Sequence, residues 1–441
     1  MASSFTKAPI FRAIAARNYC QLVPVSGNPC AELKTCTLPN KLIVAAVDND
    51  ASLTRVSIVF RAGSRNEQSD NLGTTHVLRT AAGLSTKNAS QFAIIRNIQQ
   101  VGANLTATND RETILYTLEG TKKAVEKALP FLAEVATQQE FRPWELSELS
   151  NRLMLDILTR PLQLRAIDLL HNAAYRSQGL GNSLFIPKSQ VGKVSSETLQ
   201  HYVASNFLSG TAAVVGTGIN ENVVKQFASS LEIQTGANKP TPSPYKGGEL
   251  RSNKGGQIAY VTVAGEGAAL SNTKEALAFA VLQGAIGSGP RVKYSNVDHG
   301  LYHKSLGCLT DIAASAINVS YSDSGLFGIL VAAPSASAEK AVKTAVSVLK
   351  SGSITDADVQ KGKNQLKTSL FLNSESGADV VRDIGTRAVL TGELQTANQL
   401  ADVVDSITTS DVQNALKKAG SKLTLAAIGN LSNVPYLDEL K

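Results

Sequence analysis

The chain repeats itself, and the repeat limits what it can fold into. From about Asp110 onward the first half matches the second at a constant offset of 213 residues. Val125, Ala128, Leu129, Leu132 and Val135 fall on Ala338, Ala341, Val342, Ala345 and Val348. Both sets follow the i, i+3, i+4, i+7 spacing of a helix with one apolar face. Asn151-Arg152-Leu153 falls on Asn364-Gln365-Leu366, and Val194-Ser195-Ser196 on Ile407-Thr408-Thr409. The hydroxyl residues precede a helix in each copy, with Glu197 or Asp411 in its first turn, where the positive helix end favours an acid. Thr211 to Gly216 falls on Thr424 to Gly429, a short apolar strand stopped by glycine. Toward the N-terminal side the offset drifts to 202–204, so that Val59 to Gly63 corresponds to Val261 to Gly265 and Val77-Leu78 to Val281-Leu282.

The 441 residues therefore divide into two homologous domains of about 200 residues each, 38–235 and 250–441. Pro240, Pro242 and Pro244, beside Gly and Ser, make 236–249 an extended linker that excludes helix. Within each copy runs of strands are followed by runs of helices. Val56, Ile58 and Phe60 alternate as a strand should, and Asn104 to Asn109 with Thr113 to Glu119 flank a hairpin turn at Asp110-Arg111. Trp144 to Thr159 reads as a helix ended by Pro161. This order predicts an α+β fold, each domain a largely antiparallel sheet covered by helices.

Composition narrows the function. Hydrophobic residues make up 43% and charged residues 18%, a globular balance, and no apolar run is long enough to cross a bilayer. Of the net charge of +7, Lys7, Arg12 and Arg17 supply three charges, and the rest is scattered without basic runs, which argues against nucleic-acid binding. Cys20, Cys30, Cys36 and Cys308 form no Cys-x-x-Cys pair, too sparse a set for a disulfide framework, so a reducing compartment is expected. The first 19 residues are basic, hold Ser3 and Ser4 and contain no acid, the composition of a mitochondrial presequence. Arg17-Asn18-Tyr19-Cys20 resembles the Arg-x-Tyr pattern cut by the matrix processing peptidase, placing the mature start at Cys20.

Leu72-Gly73-Thr74-Thr75-His76-Val77-Leu78-Arg79-Thr80 resembles the metal-binding helix of the pitrilysin and mitochondrial processing peptidase family. That family carries H-x-x-E-H: two imidazoles one turn apart bind zinc, the intervening Glu takes a proton from the metal-bound water, and a Glu about 80 residues further on is the third ligand. Only His76 matches. Arg79 stands at the base position, and a guanidinium neither accepts a proton nor tolerates a nearby dication. Thr80 stands at the second imidazole position, a poor ligand for zinc. The distant position falls at Leu155-Asp156, where Asp156 approximates one ligand at best. The corresponding segment of the second copy, Val281-Leu282-Gln283-Gly284, has no ligand. The degenerate motif at His76, Arg79 and Thr80 leaves no catalytic residue, no metal and no cofactor site to expect.

The resemblance spans nearly the whole chain. Phe141-Arg142-Pro143-Trp144-Glu145, Tyr245-Lys246-Gly247-Gly248-Glu249 and Tyr321 to Gly328 are similar to the family's core 2 branch in respiratory complex III. The resemblance implies a non-catalytic structural subunit on the matrix side of the mitochondrial inner membrane. Its implied partners are the core 1 subunit and cytochrome b, within a dimeric ubiquinol–cytochrome c reductase. The redox chemistry would belong to other subunits, since no haem attachment motif or cluster cysteines occur here. The alternative is the non-catalytic, substrate-recognising subunit of the processing peptidase, whose glycine-rich loop is more extensive. An active zinc peptidase is the third reading.

The remaining signals carry less. Gly284 to Arg291 is glycine-rich but lacks the Gly-Lys-Ser/Thr of a phosphate loop, and reads as a helix-ending turn. Asp298-His299 and His303 place two imidazoles at i, i+4 without an accompanying Glu, a surface pair. His171 and His201 stand alone on helices as packing or surface residues, and no Gly-x-Ser-x-Gly elbow occurs.

Overall fold

The computed structural model describes residues 32–289, 300–306 and 311–440. The presequence reading, Cys20, Cys30, Cys308, Pro290-Arg291 and Asp298-His299 lie outside the described residues.

The duplication reappears as two sheets of one topology. The first holds β1 (Leu33–Thr37), β2 (Ile43–Val47), β3 (Thr54–Phe60), β4 (Asn104–Asn109), β5 (Ile114–Gly120) and β6 (Ala212–Thr217), in the spatial order β1-β2-β6-β3-β5-β4. The second holds β7 (Glu249–Asn253), β8 (Ile258–Glu266), β9 (Ala313–Ser320), β10 (Gly325–Pro334) and β11 (Thr424–Gly429), in the order β7-β11-β8-β10-β9. Setting β1 aside, the orders coincide. In each sheet one pair is parallel, β2 with β6 and β7 with β11, and the others are antiparallel.

The register corrects one detail of the sequence match. Ile58 pairs with Val214 and Val261 with Ala427, so Ile58, not Val59, is the counterpart of Val261. The difference of one residue matters because it exchanges the two faces of a strand. Val56, Ile58 and Phe60 point into the main core of the first half, and Val59 points to the opposite face.

The helices of the first half are α1 (Thr74–Thr80), α2 (Gln91–Gln100), α3 (Lys122–Thr137), α4 (Pro143–Thr159), α5 (Leu162–Tyr175), α6 (Ser196–Asn206) and α7 (Glu221–Ser230). Those of the second are α8 (Thr273–Ile286), α9 (Leu301–Leu306), α10 (Ser335–Ser351), α11 (Asp356–Glu375), α12 (Gly377–Leu390), α13 (Ala397–Ser406) and α14 (Thr409–Ser421). The i, i+3, i+4, i+7 residues of α3 and α10 are all buried, each Val or Leu among them contributing about 1.5–3 kcal/mol and each Ala less. Ser195 caps α6 by accepting from Thr198 N, and Thr408 caps α14 by accepting from Asp411 N in a capping box. Gly287, at φ 122°, ends α8 within the glycine-rich stretch, whose first residue, Gly284, still lies in the helix.

Each half lends one helix to the other. Leu170, Ala174 and Tyr175 of α5, from the first half, pack on Ala264, Leu326 and Ala426 of the second sheet. Val381, Ile384, Ala388 and Val389 of α12, from the second half, pack on Val59, Leu115, Ala213 and Val215 of the first. No sequence pattern shows which sheet either helix covers. Polar contacts reinforce the exchange. Arg65, nearly unexposed, binds Glu112 of its own half at 2.6 Å, Asp323 of the other at 2.5 Å and the linker carbonyl of Thr241 at 2.8 Å. His171 Nδ1–H donates to Ile167 O at 2.7 Å, and its Nε2 accepts from Tyr321 Oη at 2.8 Å.

Candidate functional site

The short helix α1 is positioned from both ends. Gly73, at φ 88°, starts it, and the carboxylate of Glu67 accepts from Gly73 N at 2.8 Å, Thr75 N at 2.8 Å and Thr75 Oγ1 at 2.6 Å. This satisfies N–H groups that a helix start leaves without partners. Burial pushes the Glu67 carboxyl up to about 7, and the three hydrogen bonds act against that rise. A Cβ at Gly73 would lie 2.5 Å from Ile186, so glycine is required there by packing as well as by φ.

His76 projects from α1 toward α4 and is fully buried. Its Nε2 lies 3.4 Å from Asp156 Oδ2, the position 80 residues on that the spacing singled out. Arg79, one turn along α1, donates to the same oxygen at 2.8 Å. The two residues that sequence spacing associates are thus brought together, and a cation joins them. Thr80 Oγ1 donates back to His76 O at 2.9 Å, which occupies its hydroxyl within the helix. Burial, and then Arg79, push the His76 imidazole down to about 4, with Asp156 opposing. Among the described residues no group of three or more His, Cys, Asp or Glu side chains comes together in a way that could hold a metal ion.

Sequence reasoning missed the segment that closes this site. The Phe185 ring lies 5.1 Å from the His76 ring, with Arg160 Cζ 4.5 Å and Arg79 Cζ 5.8 Å from its centroid. Ile186 N–H donates to His76 Nδ1 at 3.3 Å. Asp168 gathers Arg111 at 2.7 Å, Arg160 at 3.2 Å and Ser183 at 2.6 Å just behind. No periodicity or motif spacing connects residues 182–187 with position 76; the connection is tertiary.

The other candidates separate. His303 lies on α9, and His201 lies exposed on α6. His171 lies beneath the second sheet in contact with Tyr321, not at the surface. Elsewhere, a cleft of about 410 Å³ is lined by Arg65, Tyr175, Gln178 and the linker residues from Asn238 to Pro244. Among the described residues no helix is long and apolar enough to cross a membrane.

Comparison with known proteins gives the lineage. Residues 43–188 match the model of insulinase-type peptidases of family M16, and residues 193–366 match the M16 inactive domain. The mouse (Mus musculus) mitochondrial cytochrome b-c1 complex subunit 2 is 38% identical over 419 residues, covering 93% of this chain and 92% of that one. A probable mitochondrial-processing peptidase subunit alpha-1 of Arabidopsis thaliana is 27% identical, over 93% of this chain and 84% of that one. A chain in the structure of complex III2 from Candida albicans, Inz-5 bound, superposes with a TM-score of 0.78 at 20% identity, over 93% of this chain and 99% of that one; at this identity the likeness bears on the fold. The identity to the mouse protein along almost the whole of both sequences, over a fold built from two copies of one sheet topology, establishes that the chain belongs to peptidase family M16, on the branch of the cytochrome b-c1 complex subunit 2 proteins.

Proposed function

We propose that this chain is the non-catalytic core 2 subunit of the mitochondrial ubiquinol–cytochrome c reductase, which it serves by supporting assembly and stability. The observation that carries this is the 38% identity to a cytochrome b-c1 complex subunit along nearly the full length. The processing-peptidase relatives stand further away, at 27%. On this reading the chain sits on the matrix side of the inner membrane, peripheral to it, paired with the core 1 subunit and beneath cytochrome b in a dimeric complex. Residues 1–19 are its presequence. Its domains are 38–235 and 250–441, with 236–249 as linker.

The site of the peptidase lineage is degenerate in this proposal, and its geometry supports that. Zinc in a catalytic site needs three protein ligands and a nearby base. His76 and Asp156 offer two donors, Arg79 bonds to one of them, and Thr80 is turned to the backbone. A metal does not fit this set, because the guanidinium already neutralises the carboxylate of Asp156. Removing the chain genetically and assaying membranes for quinol-dependent cytochrome c reduction tests the proposal. Loss of that activity together with its haem-bearing complex is the expected result. Retained activity with loss of presequence cleavage would favour the substrate-recognising subunit of the processing peptidase.

A further inference from the structure

The packing around His76 excludes a metal in a second way, independent of the residues at 79 and 80. Both ring nitrogens are engaged. Ile186 N–H donates to Nδ1, so that nitrogen carries no hydrogen, and the proton of the neutral ring sits on Nε2, toward Asp156. A neutral imidazole binds a metal through its bare nitrogen, and here the bare nitrogen faces a backbone amide.

The segment that supplies this amide is held from several sides. Asn182 Nδ2 donates to Ser64 O at 2.9 Å and Glu67 O at 3.0 Å, and Ser183 Oγ donates to Asp168. Arg160 lies over the Phe185 ring, and Ile186 is buried against Gly73. The hydrogen bonds that hold the segment come from Ser64, Glu67 and Asp168, and residue 79 meets it only through the Arg79 guanidinium 5.8 Å from the Phe185 ring centroid.

Building on the reading of the chain as a non-hydrolytic M16 member, we propose that residues 182–187 form an internal plug that fixes His76 as an Nε2–H donor, so that the site refuses a divalent metal even when its ligand residues are restored. His76 acts here as a structural donor, and Ile186 is the positioning residue.

Two measurements test this on the full-length chain. The first is a ¹⁵N–¹H correlation of the histidine rings at neutral pH, with His76 assigned by His76→Gln. A protonated Nε2 and bare Nδ1 are expected; the opposite tautomer overturns the proposal. The second is zinc content after dialysis. The ligand-restored variant Arg79→Glu, Thr80→His, Asp156→Glu should hold less than about a tenth of an equivalent, and adding Phe185→Ala and Ile186→Pro, the latter removing the amide hydrogen that His76 Nδ1 accepts, should raise this toward about one. One equivalent in the ligand-restored variant overturns the plug, as does failure of the added substitutions to raise the content. Zinc with presequence cleavage in the unaltered chain would instead sink the non-hydrolytic reading, a separate outcome.

Discussion

Arg79 Nη2 and His76 Nε2 converge on one oxygen of Asp156, at 2.8 Å and 3.4 Å. The shorter contact is the charged one, and 3.4 Å is long for a hydrogen bond, so the guanidinium dominates the arrangement. A permanent cation tethered to α1 thus does what a bound ion would do in joining α1 to α4.

The Arg79–Asp156 pair is partly exposed on both sides, so its contribution to stability is small. Arg79→Gln should lower the unfolding free energy by no more than about 1 kcal/mol, read from the denaturant midpoint. It should generate no peptide cleavage. Measurable cleavage of a presequence peptide by this variant would mean that Arg79 alone had been holding a competent site shut.

Buried histidines set an acid-side dependence. Burial holds His171 well below its ordinary value, so it is neutral in the native state. The unfolded chain takes up a proton near pH 6.5 that the native chain refuses. Stability from this group is therefore complete above that pH and is lost as pH falls through and below it. His76 contributes with the same sign. Glu67, raised to about 7, works oppositely, losing stability as pH rises from about 4.5 toward 7. Comparing the chain with His171→Gln isolates the first effect. The difference in unfolding free energy between them should shrink by up to about 2 kcal/mol from pH 6.5 to pH 5. A difference independent of pH would contradict the neutral His171–Tyr321 contact.

The exchanged helix α12 makes a prediction across the two halves. A Cβ at Gly385 would lie 2.6 Å from Val59 Cγ2 in the first sheet. Gly385→Leu should lift α12 from β3 and β6, at a cost of about 1–3 kcal/mol from overpacking. Hydrogen exchange should quicken in β3 and β6, although the substitution lies in the second half of the sequence. Faster exchange confined to the second sheet would contradict the exchange of helices.

Much of the fold is legible because it is written twice. A helix face such as Val125, Ala128, Leu129, Leu132 and Val135 becomes firm when the same spacing recurs 213 residues later, and both copies are buried. Strand register is less legible: in β3 the apolar residues Val56, Ile58, Val59 and Phe60 cover both faces, so the alternation that would fix register is blurred. The site divides the same way. His76 and Asp156 are connected by motif spacing and do meet. Phe185 and Ile186 are invisible beforehand because their role depends on tertiary packing against Gly73 and His76. The part played by His171 depends in the same way on α5 crossing to the second sheet.

The central claim is membership of a haem-bearing assembly without chemistry of its own. Its most direct test is a native separation of mildly solubilised mitochondria, probed for this chain together with haem b and haem c. The account predicts that the chain runs with both haems in one large species, and that removing the chain collapses that species. Migration with a soluble partner that carries no haem would contradict it.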